Sequence, residues 1–285
     1  MLVMSKIIRA KYKKEDDMIF ISHLDLQRLL QRAFRRAEIN LSYSQGFNPH
    51  PKMSYGNALA LGVESQGEYV DIEIEDDITV EEFLRRINEE LPKGVEFIKA
   101  KEISSSTPTL SSEIVYGEYL FNIDLPKPLS KELVKSRVLD FIKRESIMIT
   151  KKNKKGKLVE NDIRPLIKTF DLVSLDDERA TFEAIIATGS KGNLNINILI
   201  PMLLEILDVE MDQREVETIR RDLYTMKATG IVRRIDDLGR VVIPKEIRRT
   251  MRIREGDPSH ATLTPYDKFC RAIHSVVKRY KEIAE

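Results

Sequence analysis

The feature that most constrains this chain is a seam between Thr225 and Met226. Upstream, Val216-Glu217-Thr218-Ile219-Arg220-Arg221-Asp222-Leu223-Tyr224 reads as the last segment of a folded domain. Downstream, Met226-Lys227-Ala228-Thr229-Gly230-Ile231-Val232-Arg233-Arg234 reads as a fresh start, a methionine and a basic residue running into a strand. Two modules joined at that point must be read separately, and 285 residues leave room for both. Lys and Arg number 47 against 46 Asp and Glu, so a nucleic-acid partner has to be argued from local clusters. The single cysteine, Cys270, excludes an internal disulfide, and four scattered histidines offer no metal-ligand spacing. No metal or cofactor is expected. The chain shows no signal peptide and no apolar run long enough to cross a bilayer, so the expectation is a soluble, cytoplasmic protein with no membrane partner.

The first module is predicted as an alternation of strands and helices. A strand over 5–13 leads to Ser22, which opens a helix with Asp25 three residues later, a capping pattern. Leu26, Leu30, Ala33 and Ala37 form its apolar stripe. Residues 43–62, rich in Gly, Pro, Asn and Ser, read as a loop running into a strand. Val70 to Glu75 alternates as a half-buried strand does. Thr79 starts a second helix and 94–98 a further strand. The order βαββαβ is that of a ferredoxin-like unit. Ser104 to Pro108 reads as a linker, after which the same order of elements returns: a strand at 119–123, a helix over 130–144, strands near 146–151, 166–173 and 180–187, a helix over 195–207 and a last strand near 208–217. The tract Lys151-Lys152-Asn153-Lys154-Lys155-Gly156-Lys157 is expected in an exposed hairpin turn.

Candidate site residues cluster in Phe20-Ile21-Ser22-His23-Leu24-Asp25 and Tyr43-Ser44-Gln45-Gly46-Phe47-Asn48-Pro49-His50-Pro51-Lys52. Ser22, His23 and Asp25 would suit nucleophilic catalysis, but Ser22 and Asp25 at a helix start are better explained by capping. His23 is left as a contact residue. Two prolines stiffen the backbone around His50 and aim Asn48, His50 and Lys52, where a histidine beside a lysine suits acid/base work or a phosphate contact. Arg28, Arg32, Arg35 and Arg36 share one side of the first helix. Residues 1–55 hold ten Lys or Arg and five Asp or Glu. A basic face beside Tyr43, Phe47 and Tyr55 is compatible with RNA, whose bases stack on aromatic rings; a solvated face with ion pairs within the helix is the alternative.

These two blocks, with Ala33-x-Arg35-Arg36-Ala37, Gly62, Ser65, Glu68-Tyr69 and Asp162-Ile163-Arg164-Pro165, resemble the radical-SAM-linked protein family over about residues 5–225. That family is a domain without assigned chemistry, found beside or fused to cobalamin-binding radical SAM proteins. No CxxxCxxC occurs, so the chain itself is not expected to hold the iron–sulfur cluster, and no Walker A string or GxGxxG is present. The resemblance implies an accessory to a radical SAM protein, with no intrinsic catalysis and no catalytic residue to name.

Residues 226–258 resemble DNA-binding domains of the SpoVT/AbrB type, which build a swapped-hairpin dimer. Thr229 to Ile235 would be the first strand, Arg240 to Ile243 the second, and Pro244 the first position of a short helix whose Lys245, Arg248, Arg249 and Arg252 form a basic face. The resemblance carries the family's DNA-contacting arginines onto Arg233, Arg240, Arg248 and Arg249. It implies duplex DNA as partner and a homodimer. After Pro258 the chain departs from the family: instead of two more strands it runs into an amphipathic helical pattern with Phe269, Ile273, Val276, Val277, Tyr280 and Ile283 on one face.

The expectation is an α+β protein: ferredoxin-like units over 1–104 and 105–225, a partial swapped-hairpin DNA-binding segment over 226–258, and a C-terminal helix over 259–285. Its expected role is that of a nucleic-acid-associated accessory protein. Two other readings stay open. One is a substrate-binding subunit of a radical SAM system, with His23, Arg32, Arg36, Asn48, His50 and Lys52 at the substrate. The other is a transcription regulator whose first module is a sensor.

Overall fold

The computed structural model describes residues 5–152, 156–190 and 192–225, all within the first of the chain's two units, Met1–Thr229. The DNA-binding-type segment, the C-terminal helix, and with them Arg233, Arg240, Arg248 and Arg249, lie outside the described residues.

The first half runs β1 (Lys6–Lys14), α1 (His23–Arg36), β2 (Met53–Tyr55), β3 (Glu64–Ile74), α2 (Val80–Glu90) and β4 (Val95–Ile103). A short 3-10 turn, Asp16–Phe20, leads from β1 into α1. Both helices start where a hydroxyl can cap them: Ser22 Oγ accepts from the Asp25 N–H, and Thr79 Oγ1 from that of Glu82. On β1 every second side chain, Ile8, Ala10, Tyr12 and Lys14, is buried under the helices. Leu26, Leu30, Ala33 and Phe34 of α1 and Phe83 and Ile87 of α2 meet them. The rings of Phe34, Phe83 and Phe97 contact one another at 5.8–6.1 Å.

The second half runs α3 (Leu110–Glu113), β5 (Ile114–Asp124), α4 (Lys131–Lys143), β6 (Met148–Lys152), β7 (Leu158–Asp162), β8 (Ile167–Leu175), β9 (Arg179–Ala187), α5 (Ile196–Leu207) and β10 (Glu217–Thr225). Strands β6 and β7 pair as a separate ribbon; Lys151 and Lys152 of the lysine-rich tract end β6, and its residues 153–155 lie outside the described residues. The other strands join the first half in one mixed sheet of eight, ordered β4-β1-β3-β10-β5-β9-β8, with β2 beside β3. Phe121, Phe141, Phe170 and Phe182 centre the second core.

Tyr12 pairs with Glu68 and Tyr119 with Arg220, so both helix pairs cover the same face of the sheet. The opposite face carries polar ladders: Arg9 with Asp71 and Glu113, Lys11 with Asp222, and Arg221 with Glu183.

One expectation changes. The last strand is not at 208–217 but at Glu217–Thr225. Asp208 closes α5 in the left-handed region at φ 58°, and residues after it turn through Gln213–Glu215. Val209 is buried there from a loop. The stretch 104–108 forms neither helix nor strand and joins two halves that share a continuous sheet through β3 and β10.

Candidate functional site

His23 is the first residue of α1, held there because Ser22 and Asp25 are committed to the cap. Ser22 Oγ donates to Asp25 Oδ2 at 2.6 Å, and Arg28 donates to Asp25 Oδ1 at 3.2 Å. The imidazole bonds instead to Gln27 Nε2 at 2.9 Å and meets the Tyr55 ring edge-on, centroids 5.3 Å apart. Ser22, His23 and Asp25 therefore form no relay of nucleophile, base and orienter. The ring is half-buried, and burial, opposed by the Glu68 charge and aided by those of Lys14 and Arg220, holds its pKa below the ordinary 6.5, so it is neutral at physiological pH.

Behind it lies a buried polar cluster at the joint between the halves. Arg220 of β10 and Glu68 of β3 pair almost fully shielded from water: Nε donates to Oε1 at 2.7 Å and Nη2 to Oε2. Arg220 Nη2 also reaches the Asn57 carbonyl at 2.9 Å, and Nη1 the Tyr119 hydroxyl at 3.4 Å. Ser65 Oγ donates to Glu68 Oε1 at 2.5 Å. Lys14, only 2% exposed, extends its ammonium to the carbonyls of Ile21 at 3.0 Å and Ile19 at 3.4 Å. Burial lowers its pKa, opposed by Glu68. Glu68 and Arg220 cancel, which leaves Lys14 as the net charge of the cluster. Burial also raises the phenols of Tyr12 and Tyr55. A neutral imidazole over a cationic, aromatic-walled floor can orient a ligand and accept a hydrogen bond. It holds no activated nucleophile.

The remaining predicted residues are spread out. Asn48 and His50 are exposed in the loop after α1, where the His50 N–H donates to Ser44 Oγ at 3.0 Å and its carbonyl accepts from the Ser44 N–H at 2.8 Å. Lys52 is held by Glu73 at 2.9 Å. Arg36 pairs with Glu90 at 2.9 Å, at the far end of a 14-residue helix and so about 20 Å from His23. Arg32 and Arg35 are exposed, and their side chains make no hydrogen bond or close ion pair among the described residues. The structure thus joins His23 to Tyr55, but not to Asn48, His50, Lys52 or Arg36.

Lys14, Ser65, Glu68, Tyr119 and Arg220 escaped selection as site residues. Ser65 and Glu68 stood in the family pattern, which was the available signal. Lys14 and Arg220 sit in strands among many other charged residues, and only pairing across 152 residues makes Arg220 distinctive.

A family profile described as "Uncharacterized protein conserved in bacteria (DUF2344)" matches residues 7–196. A second, "Antidote-toxin recognition MazE, bacterial antitoxin", matches 232–258. Stage V sporulation protein T of Bacillus subtilis (strain 168) is 62% identical over 60 residues, 21% of this chain and 30% of that protein. Transition state regulatory protein AbrB of the same organism is 69% identical over 32 residues, 11% of this chain and 33% of that protein. The chain spans about a third of the length of these curated relatives. Among solved structures, an archaeal box H/ACA sRNP Nop10-Cbf5 complex gives 12% identity and a TM-score of 0.38 over 75% of this chain and 46% of that one. A Cbf5-Nop10-Gar1 complex gives 9% and 0.41 over 78% and 50%. Neither likeness is close enough to bear on function. Among the described residues no helix is long and apolar enough to cross a membrane, and no His, Cys, Asp and Glu grouping could hold a metal ion.

Proposed function

This chain belongs to the DUF2344 family of bacterial proteins, and from that premise we propose a two-part nucleic-acid-associated protein: a ligand-binding body over residues 5–225 and an appended DNA-binding segment. The single observation that carries the reading is the 62% identity of 60 residues to stage V sporulation protein T, supported by the AbrB likeness. In the segment, Arg233, Arg240, Arg248 and Arg249 neutralise phosphates of duplex DNA, with specificity added by base edges and groove shape. Two copies pair through the segment as homodimers, and the protein works in the cytoplasm.

The body acts as an accessory to a radical SAM protein and is directed to RNA. Its geometry favours binding over transformation, because Ser22 and Asp25 are spent on a helix cap and Lys52 on Glu73. Each half is read as a ferredoxin-like unit. In support, the order β4-β1-β3-β2 of the first half returns as β10-β5-β9-β8 in the second.

The test is duplex binding by the full chain across a salt series. Each phosphate contact contributes about −0.9 to the slope of log K against log salt. Replacing both Arg248 and Arg249 by Ala should flatten the slope by about 2 per copy and weaken binding steeply. Affinity that ignores both salt and the two substitutions sinks the proposal.

A further inference from the structure

Lys14 is a buried cation without a counter-ion. It forms no ion pair among the described residues, and the carboxylate of its cluster, Glu68, is taken by Arg220. Its ammonium donates to the Ile21 and Ile19 carbonyls, which leaves the third N–H without a partner among the described residues. Buried charges are ordinarily paired, so this one is half of a pair. Two residues back on the same strand and face, Tyr12 is also 2% exposed. Its ring packs on Phe97 at 5.5 Å, yet its hydroxyl makes no hydrogen bond among the described residues. Among those residues Ser42 Oγ is the one side-chain atom sealed from solvent without a partner, so the unbonded Tyr12 hydroxyl still opens to solvent. Burial and the Glu68 charge raise its pKa, and the phenol keeps a proton to donate.

The strand register brings these groups to His23. Tyr12 pairs with Glu68 on β3 and Lys14 with Ser65. On the other edge of β3, Tyr55 stands opposite Val70, two residues from Glu68 and so on the same helical face. The Tyr55 ring meets the imidazole, and the Ile21 carbonyl that takes the Lys14 ammonium lies two residues before His23. An amide NH2 can only donate, so Gln27 Nε2 makes the imidazole Nε2 an acceptor and puts the proton of the neutral ring on Nδ1. Nδ1 makes no hydrogen bond among the described residues. Ammonium, phenol and imidazole are then donors in want of an acceptor, and the positive end of the α1 dipole adds to them. One uncompensated positive charge matches one negative charge. A carboxylate supplies that; a phosphate monoester, at about −1.5 to −2, would leave charge unpaired beside a buried site. We infer that Lys14, Tyr12 and His23 bind the carboxylate of a small-molecule ligand, with the ammonium as counter-ion, the Tyr12 hydroxyl and His23 Nδ1 as donors, and the Tyr55 ring as a wall. The inference deepens the ligand-binding reading of the body and rests on it.

The experiment follows the imidazole nitrogens of the full chain by 15N NMR, at fixed pH and ionic strength, during titration with acetate. Acetamide and inorganic phosphate are titrated in parallel, and His23→Gln identifies the His23 signals. Acetate should shift Nδ1 saturably, whereas acetamide, of the same shape without the charge, should not. Tyr12→Phe should weaken acetate binding about 10- to 150-fold, the worth of one hydrogen bond to a charged group. It should leave the melting temperature without acetate unchanged, because the hydroxyl it removes has no partner among the described residues. Lys14→Met should abolish binding; where that variant does not fold, Tyr12→Phe decides. No acetate shift at His23, an equal response to acetamide, or acetate binding that ignores Tyr12→Phe overturns the inference. Phosphate binding at His23 in place of acetate also overturns it, while leaving a ligand-binding body. Duplex binding through Arg248 and Arg249 uses none of these residues, so the two readings can fail separately.

Discussion

Replacing Arg220 by Met tests what holds the two halves of the body together. The halves meet where β3 runs parallel to β10, and that pairing spans only Ile219 with Glu64 and Arg220 with Ser65. Arg220 is 1% exposed and donates to Glu68, to the Asn57 carbonyl and to the Tyr119 hydroxyl. Methionine keeps much of the apolar stem but strands the Glu68 carboxylate, 4% exposed, with Ser65 Oγ as its remaining hydrogen-bond donor. Removing one partner of a buried pair costs about 3–5 kcal/mol, and a domain of this size loses about 2–4 °C of melting temperature per kcal/mol. The body should therefore melt about 6–20 °C lower. Adding Glu68→Leu removes the stranded charge, and the double variant should recover part of the loss. The Asn57 carbonyl, still without its donor, keeps a residual cost of about 1 kcal/mol. Thermal and urea unfolding of the four proteins in this double-mutant cycle give the coupling energy. Single variants within about 1 kcal/mol of the parent, or strictly additive losses, refute the claim that this pair joins the halves.

Two further outcomes are expected. A Cβ at Gly67 would lie 2.6 Å from the Arg221 carbonyl oxygen and 2.8 Å from the Asp222 Cα, both backbone of β10, so Gly67→Ala should cost about 1–3 kcal/mol in urea unfolding; a neutral result would mean that the β3–β10 approach is looser than described. His23 has a folded pKa below its ordinary 6.5, so between those values the unfolded chain carries the extra proton and stability rises with pH; the body should lose stability as pH falls below 6.5, and His23→Gln should remove that component. Equal pH dependence in the variant and the parent would contradict the burial of the ring.

Local order in this protein was legible in the sequence because its causes are local. Ser22, Thr79 and Ser130 cap the helices that follow them, since a hydroxyl can satisfy only amides within its own first turn. The spacing of Leu26, Leu30 and Ala33 gave α1 its buried face.

Tertiary structure alone decided which charges are buried. In β10 the half-exposed Ile219 lies between buried Thr218 and Arg220, so the strand inverts the usual alternation of apolar inside and polar outside. That inversion hid the strand and shifted its expected position to 208–217. Arg220 can sit in the core because β3 brings Glu68 to it from 152 residues away, and nothing in the neighbouring sequence separates it from the solvent-facing Arg221. The candidate site divided in the same manner. His23 was readable from the helix start, whereas its partners Tyr55, Lys14 and Glu68 came only with the strand register, because desolvation and ion pairing depend on what the fold packs against each group.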